Sequence, residues 1–260
     1  MSTPSEPTIA NTSAARSPFT CLGLDDAPDR EILEKMVRAA KPFRAGDGEA
    51  LLLWLDASGA GMGFHYASGG FQCYKPWFAA GRTYRLLSKS WIADAECRFC
   101  DRLVADLLTS SGDVACRLAL EVENIELVRE QVVMNAPVSC EIAAFAKTIS
   151  LGDGASQANS LAEGKVLAPH GIVAADNGSV SEARITGRVL ASERRMNALN
   201  GGCFVHLSVE AGPLSFEILS ADLPQLPAPG AMIQSECWLI AQIREKEQSK
   251  PSAVICMDCS

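Results

Sequence analysis

Residues 183–193, ARITGRVLASE, and residues 81–91, GRTYRLLSKSW, open two stretches of this chain that run through the same order of elements. Each opening is a strand marked by glycine and arginine. A second and a third strand follow. They are CDRLVADLL (100–108) and VACRLALEVEN (114–124) in the first stretch, and CFVHLSVEAG (203–212) and LSFEILSAD (214–222) in the second. Each stretch closes on a proline-marked turn and a long strand pair, NAPVSCEIAAFAKTI (135–149) or PAPGAMIQSECWLIAQI (227–243). Self-similarity about a hundred residues apart is the mark of two copies of one small β-unit.

The interior of each copy refines the expectation. NIELVREQV (124–132) reads as a short helix between the third and fourth strands, whereas the matching DLPQLPAPG (222–230) is too rich in proline for one. Gly187 falls mid-strand, where a barrel's first strand must bend sharply. Three strands, a helix and two further strands in roughly 60–75 residues resemble the oligonucleotide/oligosaccharide-binding (OB) barrel. The resemblance implies a five-stranded, partly open Greek-key barrel, with a β-sandwich of equal strand count as the alternative. The expected class is α+β, mostly β: two tandem OB-like units preceded by an N-terminal helix and a β-hairpin.

Working outward gives the domain limits. Residues 1–24 read as a flexible Ser/Thr/Pro-rich tail. Asp25 or Asp26 caps a helix that Pro28 starts, Ile32, Leu33, Met36, Val37 and Ala40 stripe, and Pro42 stops. EALLLWLDA (49–57) is a buried strand, the glycine-rich ASGAGMG a turn, and FHYAS its hairpin partner. GGFQCYKPWF (69–78) reads as an aromatic loop. These fill an N-terminal domain, 25–151, that includes the first unit at 81–149. A Gly/Ser/Asn/Ala-rich linker (152–182) with one short strand, HGIVAA, leads to the second unit at 183–247, and 248–260 is a tail ending in CxxC.

Composition bounds the function. The chain has 260 residues and a net charge of −8, and 48% of it is hydrophobic, enough for a substantial core. No segment is basic: Lys+Arg number 7 against 9 Asp+Glu over 1–80, 8 against 10 over 81–151, and 6 against 7 over 183–247. That weighs against duplex binding, which leaves a basic face. No apolar run is long enough to span a bilayer, and the N-terminus lacks the basic and apolar regions of a secretory signal, so a cytoplasmic protein with no membrane partner is expected. Ten cysteines in such a compartment default to reduced thiols.

Two CxxC pairs, Cys97/Cys100 and Cys256/Cys259, are the sharpest chemical pattern. Four thiolates on two tight turns make a tetrahedral structural zinc site, so zinc is the one cofactor the sequence admits. The histidines (His65, His170 and His206) are not spaced as metal pairs. Cys203 and His206, three apart on a strand, point to opposite faces. Glu121 and Glu123 share a strand face and read as a solvated edge. AGDGEA and GAGMGF lack the residues of a phosphate or dinucleotide loop, and there is no GxSxG elbow.

Binding residues are more visible. In SERRMNALNGG (192–202), read as a loop, Arg194 and Arg195 are placed to contact phosphates and Asn197 to bond a base, with Phe204 on the next strand to stack one. Tyr74, Trp77 and Phe78, read as loop aromatics, suit a protein anchor. The expectation is therefore a non-enzymatic, cytosolic interaction protein, an adaptor or a neutraliser of a basic protein partner. The alternatives are single-stranded nucleic-acid binding through the second unit and a structural zinc protein. The sequence sets no oligomeric state.

Overall fold

The computed structural model describes residues 12–14, 17–44, 48–67, 70–152, 171–175, 180–221 and 223–244. It is mostly β, with a ten-stranded sheet and a four-stranded sheet. The four-stranded sheet is an antiparallel meander of β2 (Lys41–Arg44), β3 (Ala50–Leu55), β4 (Ala60–Ala67) and β5 (Gly70–Phe78). Its edge strands β2 and β5 carry Pro42 and Pro76, at the positions where a missing N–H is tolerated. Residues 70–78 are thus a strand, not the loop expected from their glycines and proline.

The larger sheet takes short β1 (Thr12–Ala14), then β6 (Thr83–Ile92), β7 (Arg102–Leu108), β8 (Val114–Val122) and β9 (Pro137–Gly152). It continues with β10 (Gly171–Ala174), β11 (Glu182–Met196), β12 (Cys203–Ala211), β13 (Leu214–Ala221) and β14 (Met232–Ile243). Helix α1 (Arg30–Ala39) precedes the meander and α2 (Ile125–Val128) joins β8 to β9. The cap of α1 is Asp29, whose Oδ1 accepts from Ile32 N at 2.8 Å, rather than Asp25 or Asp26. Among the described residues no helix is long and apolar enough to cross a membrane.

Strand pairing closes two circuits. β6 pairs β7, β7 pairs β8, β8 runs parallel to the end of β14, β14 pairs β9, and β9 returns to β6. In the second circuit β11 pairs β12, β12 pairs β13, β13 runs parallel to the middle of β9, β9 pairs β14, and β14 returns to β11. The antiparallel pair β9–β14, in register from Met232↔Gly152 to Ile243↔Cys140, belongs to both circuits.

Side-chain alternation explains how two strands serve so many neighbours. Cys140, Ile142, Ala144 and Ala146 of β9 and Cys237, Leu239, Ala241 and Ile243 of β14 face the main core. The intervening Ala143, Phe145 and Ile240 face a second core beneath the meander, with Trp54, Met62, Phe64 and Phe78. A bulge sets Glu236↔Thr148 beside Cys237↔Ala146, so Lys147 is the extra residue and Ile149 returns to the main core. A second bulge lies between Val189 and Ala191 of β11. It lets that strand bend and continue to Met196, so Arg194 and Arg195 lie on a strand and the loop begins only at Asn197.

Phe145 is fully buried where β9 meets the meander. Phe145→Ala should destabilise the fold by about 3–5 kcal/mol. Calorimetry of the parent protein should show one unfolding transition, because neither circuit closes without β9 and β14. Two separated transitions would contradict the shared pair.

Candidate functional site

β4 and β5 sort their side chains by parity. On one face Phe64 and Tyr66 of β4 and Tyr74 of β5 turn toward α1. The bulge that follows His65 pairs Tyr66 with Phe71 and brings Phe71 onto the same face. Tyr66 and Phe71 meet edge to face at 5.7 Å, and Phe71 stacks with Tyr74 at 6.3 Å. Leu33 and Val37 on the apolar stripe of α1 form the opposite wall of a groove of about 380 Å³. Its mouth carries Arg30 and Arg38, both paired with the single carboxylate of Glu34 at 2.8 and 3.5 Å. Phe71 is 51% exposed, a large apolar side chain presented to solvent.

The other face of the same two strands is polar and closed. Trp77 packs over Gly61, and Glu123 from the end of β8 lies against Gly63; a Cβ on either glycine would collide with them. GAGMG therefore supplies strand positions of close approach as well as the turn at Gly59, so the strand begins earlier than expected from its glycines. His65, wholly buried, sets Nδ1 2.8 Å from Glu126 Oε1 and stacks on Phe99 at 5.4 Å. Burial pulls the imidazole below its ordinary value, against the pull of Glu126. Glu123 is wholly buried and neither of its oxygens has a hydrogen-bond partner in the protein. Burial, then the nearby Glu126 charge, push it up to about 8, so it is protonated at neutral pH.

Lys75 on this face is buried. Its ammonium donates to Phe99 O and, at 3.1 Å, to Val122 O, and lies 3.5 Å from Glu121. Beside it three thiols meet: Cys73 of β5, Cys97 at the start of a single 3-10 turn (Arg98–Cys100) before β7, and Cys100 at its end. The Cys73 and Cys97 sulfurs are 3.5 Å apart. A hydrogen bond from Cys73 and the charge of Lys75 bring Cys100 down to about 7 against the opposing effect of burial, while Cys73 is pushed up.

The residues chosen from sequence are distributed differently. Trp77 and Phe78 are buried, and Tyr74 lines the groove. Phe204 is fully buried and meets Phe78 edge to face at 6.3 Å. Arg194 donates to Leu223 O at 2.7 Å. Arg195 donates to Ser58 O at 2.7 Å, pairs with Glu193, and lies over the Phe78 ring. Asn197 is fully buried and donates to Leu22 O at 3.0 Å. Arg195, Asn197, Phe78 and Phe204 thus join the meander and the segment before α1 to the second circuit. Cys97 and Cys100 stand together, but with Cys73; Cys256 and Cys259 lie outside the described residues. The sequence offers no site reading for Cys73 or Lys75, and its spacing sets His65 aside as structural. The alternation along 60–78, once read as strand, is the signal that groups His65, Cys73 and Lys75 on one face. No family model, curated protein or solved structure matches this chain.

Glu123 predicts a pH dependence with a definite sign. Its folded value lies above its unfolded value, so its contribution is fully present below about 4.5 and is lost as pH rises through about 8. Across that window the parent protein should lose up to about 1.4 kcal/mol per pH unit relative to Glu123→Gln, which is neutral throughout. Denaturant midpoints of the two proteins at pH 5 and pH 8 measure the difference. Parallel midpoints would contradict it.

Proposed function

We propose that this chain is a non-enzymatic, cytosolic binding protein that captures a short segment of a protein partner in the groove between α1 and the β4–β5 hairpin. The observation that carries the reading is the aromatic floor of that groove, open to solvent at Phe71. A concave apolar site of a few hundred cubic ångströms with few polar groups suits one large apolar anchor. Arg30 and Arg38 share one carboxylate, so the mouth has spare cationic donors for a carboxylate next to the anchor. The net charge of −8 disfavours a longer acidic tract. That every described cysteine is a free thiol supports a reducing compartment.

The framework behind the groove reads as two OB-like barrels. Each circuit runs first, second, third, fifth, fourth and back to first, with the third strand parallel to the fifth. Each barrel uses the other's long strand as its fifth. In this arrangement Phe204 lies under the meander rather than on an open barrel face, which favours the groove over single-stranded nucleic acid as the recognition site.

Selection from a random peptide display library should enrich one aromatic or large aliphatic residue with a neighbouring Asp or Glu. Phe71→Glu should weaken an enriched peptide by at least tenfold, about 1.4 kcal/mol, without changing the melting temperature. Undiminished binding by Phe71→Glu would refute the groove. Tight binding of a single-stranded oligonucleotide that falls steeply with salt, and is lost in Arg194→Ala/Arg195→Ala, would favour the nucleic-acid reading.

A further inference from the structure

Independently of the groove, we propose that Cys73, Cys97 and Cys100 are three donors of one tetrahedral zinc site. Their sulfurs all lie within 4.8 Å of one another, and Cys73 and Cys97 are 3.5 Å apart. Sulfurs bound to one zinc ion at about 2.3 Å stand about 3.8 Å from each other, so the triad needs only small adjustments to share an ion. Three half-buried thiols from two separate elements converge here. A disulfide would consume two of them and strand the third, whereas a metal uses all three.

The supporting structure is of the kind a metal turn needs. Cys100 N donates to Cys97 O at 2.8 Å and closes the turn. Asp94 Oδ1 accepts from the Glu96 and Cys97 amides, both at 3.0 Å, and Asp101 Oδ1 accepts from Asp94 N at 2.8 Å. Arg129 donates to Asp101 at 2.7 Å and to Arg98 O at 2.8 Å, holding the same turn from α2. The donor set is soft and all-sulfur, which selects zinc over calcium or magnesium.

Charge is partly offset as well. Each Zn–S bond forms as one thiol proton leaves to water, and three thiolates with Zn²⁺ carry a net −1. The buried Lys75 ammonium, shared with Glu121 at 3.5 Å, stands beside them as a partial counter-charge. Cys73, on β5 and 24 residues before Cys97, is the donor that the two-CxxC arrangement lacks and that only the fold reveals.

The test is native mass spectrometry of the full chain purified in reducing buffer with zinc. The expected result is one zinc ion per chain, and a Cys73→Ser variant that binds it at least tenfold more weakly, while Cys116→Ser retains it. Should Cys73→Ser fail to fold, alkylation of the parent protein decides. Zinc should protect Cys73, Cys97 and Cys100 from modification and leave the labelling of Cys116 and Cys203 unchanged. A metal-free mass, or equal labelling of Cys73 with and without zinc, would overturn the proposal. So would zinc kept by Cys73→Ser but lost from Cys256→Ser or Cys259→Ser, which would return the ligands to the two CxxC pairs.

Discussion

The antiparallel pairing of β9 with β14 is the constraint on which the structure depends. A strand pair offers two faces and two edges, and here all four are used. One face fills the main core and the other meets the meander. The outer edge of β9 takes β6 and then β13, and that of β14 takes β11 and then β8. The single-residue bulge at Lys147 keeps alternation and edge pairing in step along strands this long. Lys147 itself turns out to Glu182 at 2.7 Å and over the Trp238 ring at 5.3 Å, so the odd residue is accommodated without burying a free charge.

The candidate sites follow from a second sharing of faces, on β4 and β5. Side chains of one parity build an apolar groove against α1. Those of the other parity form a polar layer against β8, α2 and the turn before β7. The two sites are back to back on one thin sheet, and glycines at 61 and 63 let Trp77 and Glu123 approach the strand closely. The polar layer is an unusual place to leave carboxyl oxygens without partners, since buried polar groups are ordinarily bonded. Protonation of Glu123 is the physical remedy, because a neutral carboxyl costs far less to bury than a carboxylate.

Much of the architecture was legible because period-2 alternation and turn residues are local signals. The strands of the two larger stretches, the helix stripe of Ile32, Leu33, Met36 and Val37, and the short α2 all stand where their residues place them. Local signals misled where a long-range contact decides the conformation. Gly69, Gly70 and Pro76 suggested a loop, yet pairing with β4 makes a strand whose edge position tolerates the proline. Arg194 and Arg195 suggested an exposed turn, yet the bulge at Leu190 extends the strand and both guanidinium groups meet backbone carbonyls. The site itself was hardly legible. Cys73 and Cys97 are brought together only by packing the meander on the first circuit, and no spacing rule in one sequence records that.

The shared pair also fixes an order of events during synthesis. The first circuit needs the end of β14, around Ile240 and Ala241, to cover the edge of β8. Those residues emerge more than a hundred positions after β8 itself. Until then β8 and the long β9 expose unpaired edges and apolar faces on the nascent chain, the condition in which strands recruit wrong partners. The chain therefore completes neither circuit early, and its last described strand acts as the latch for both.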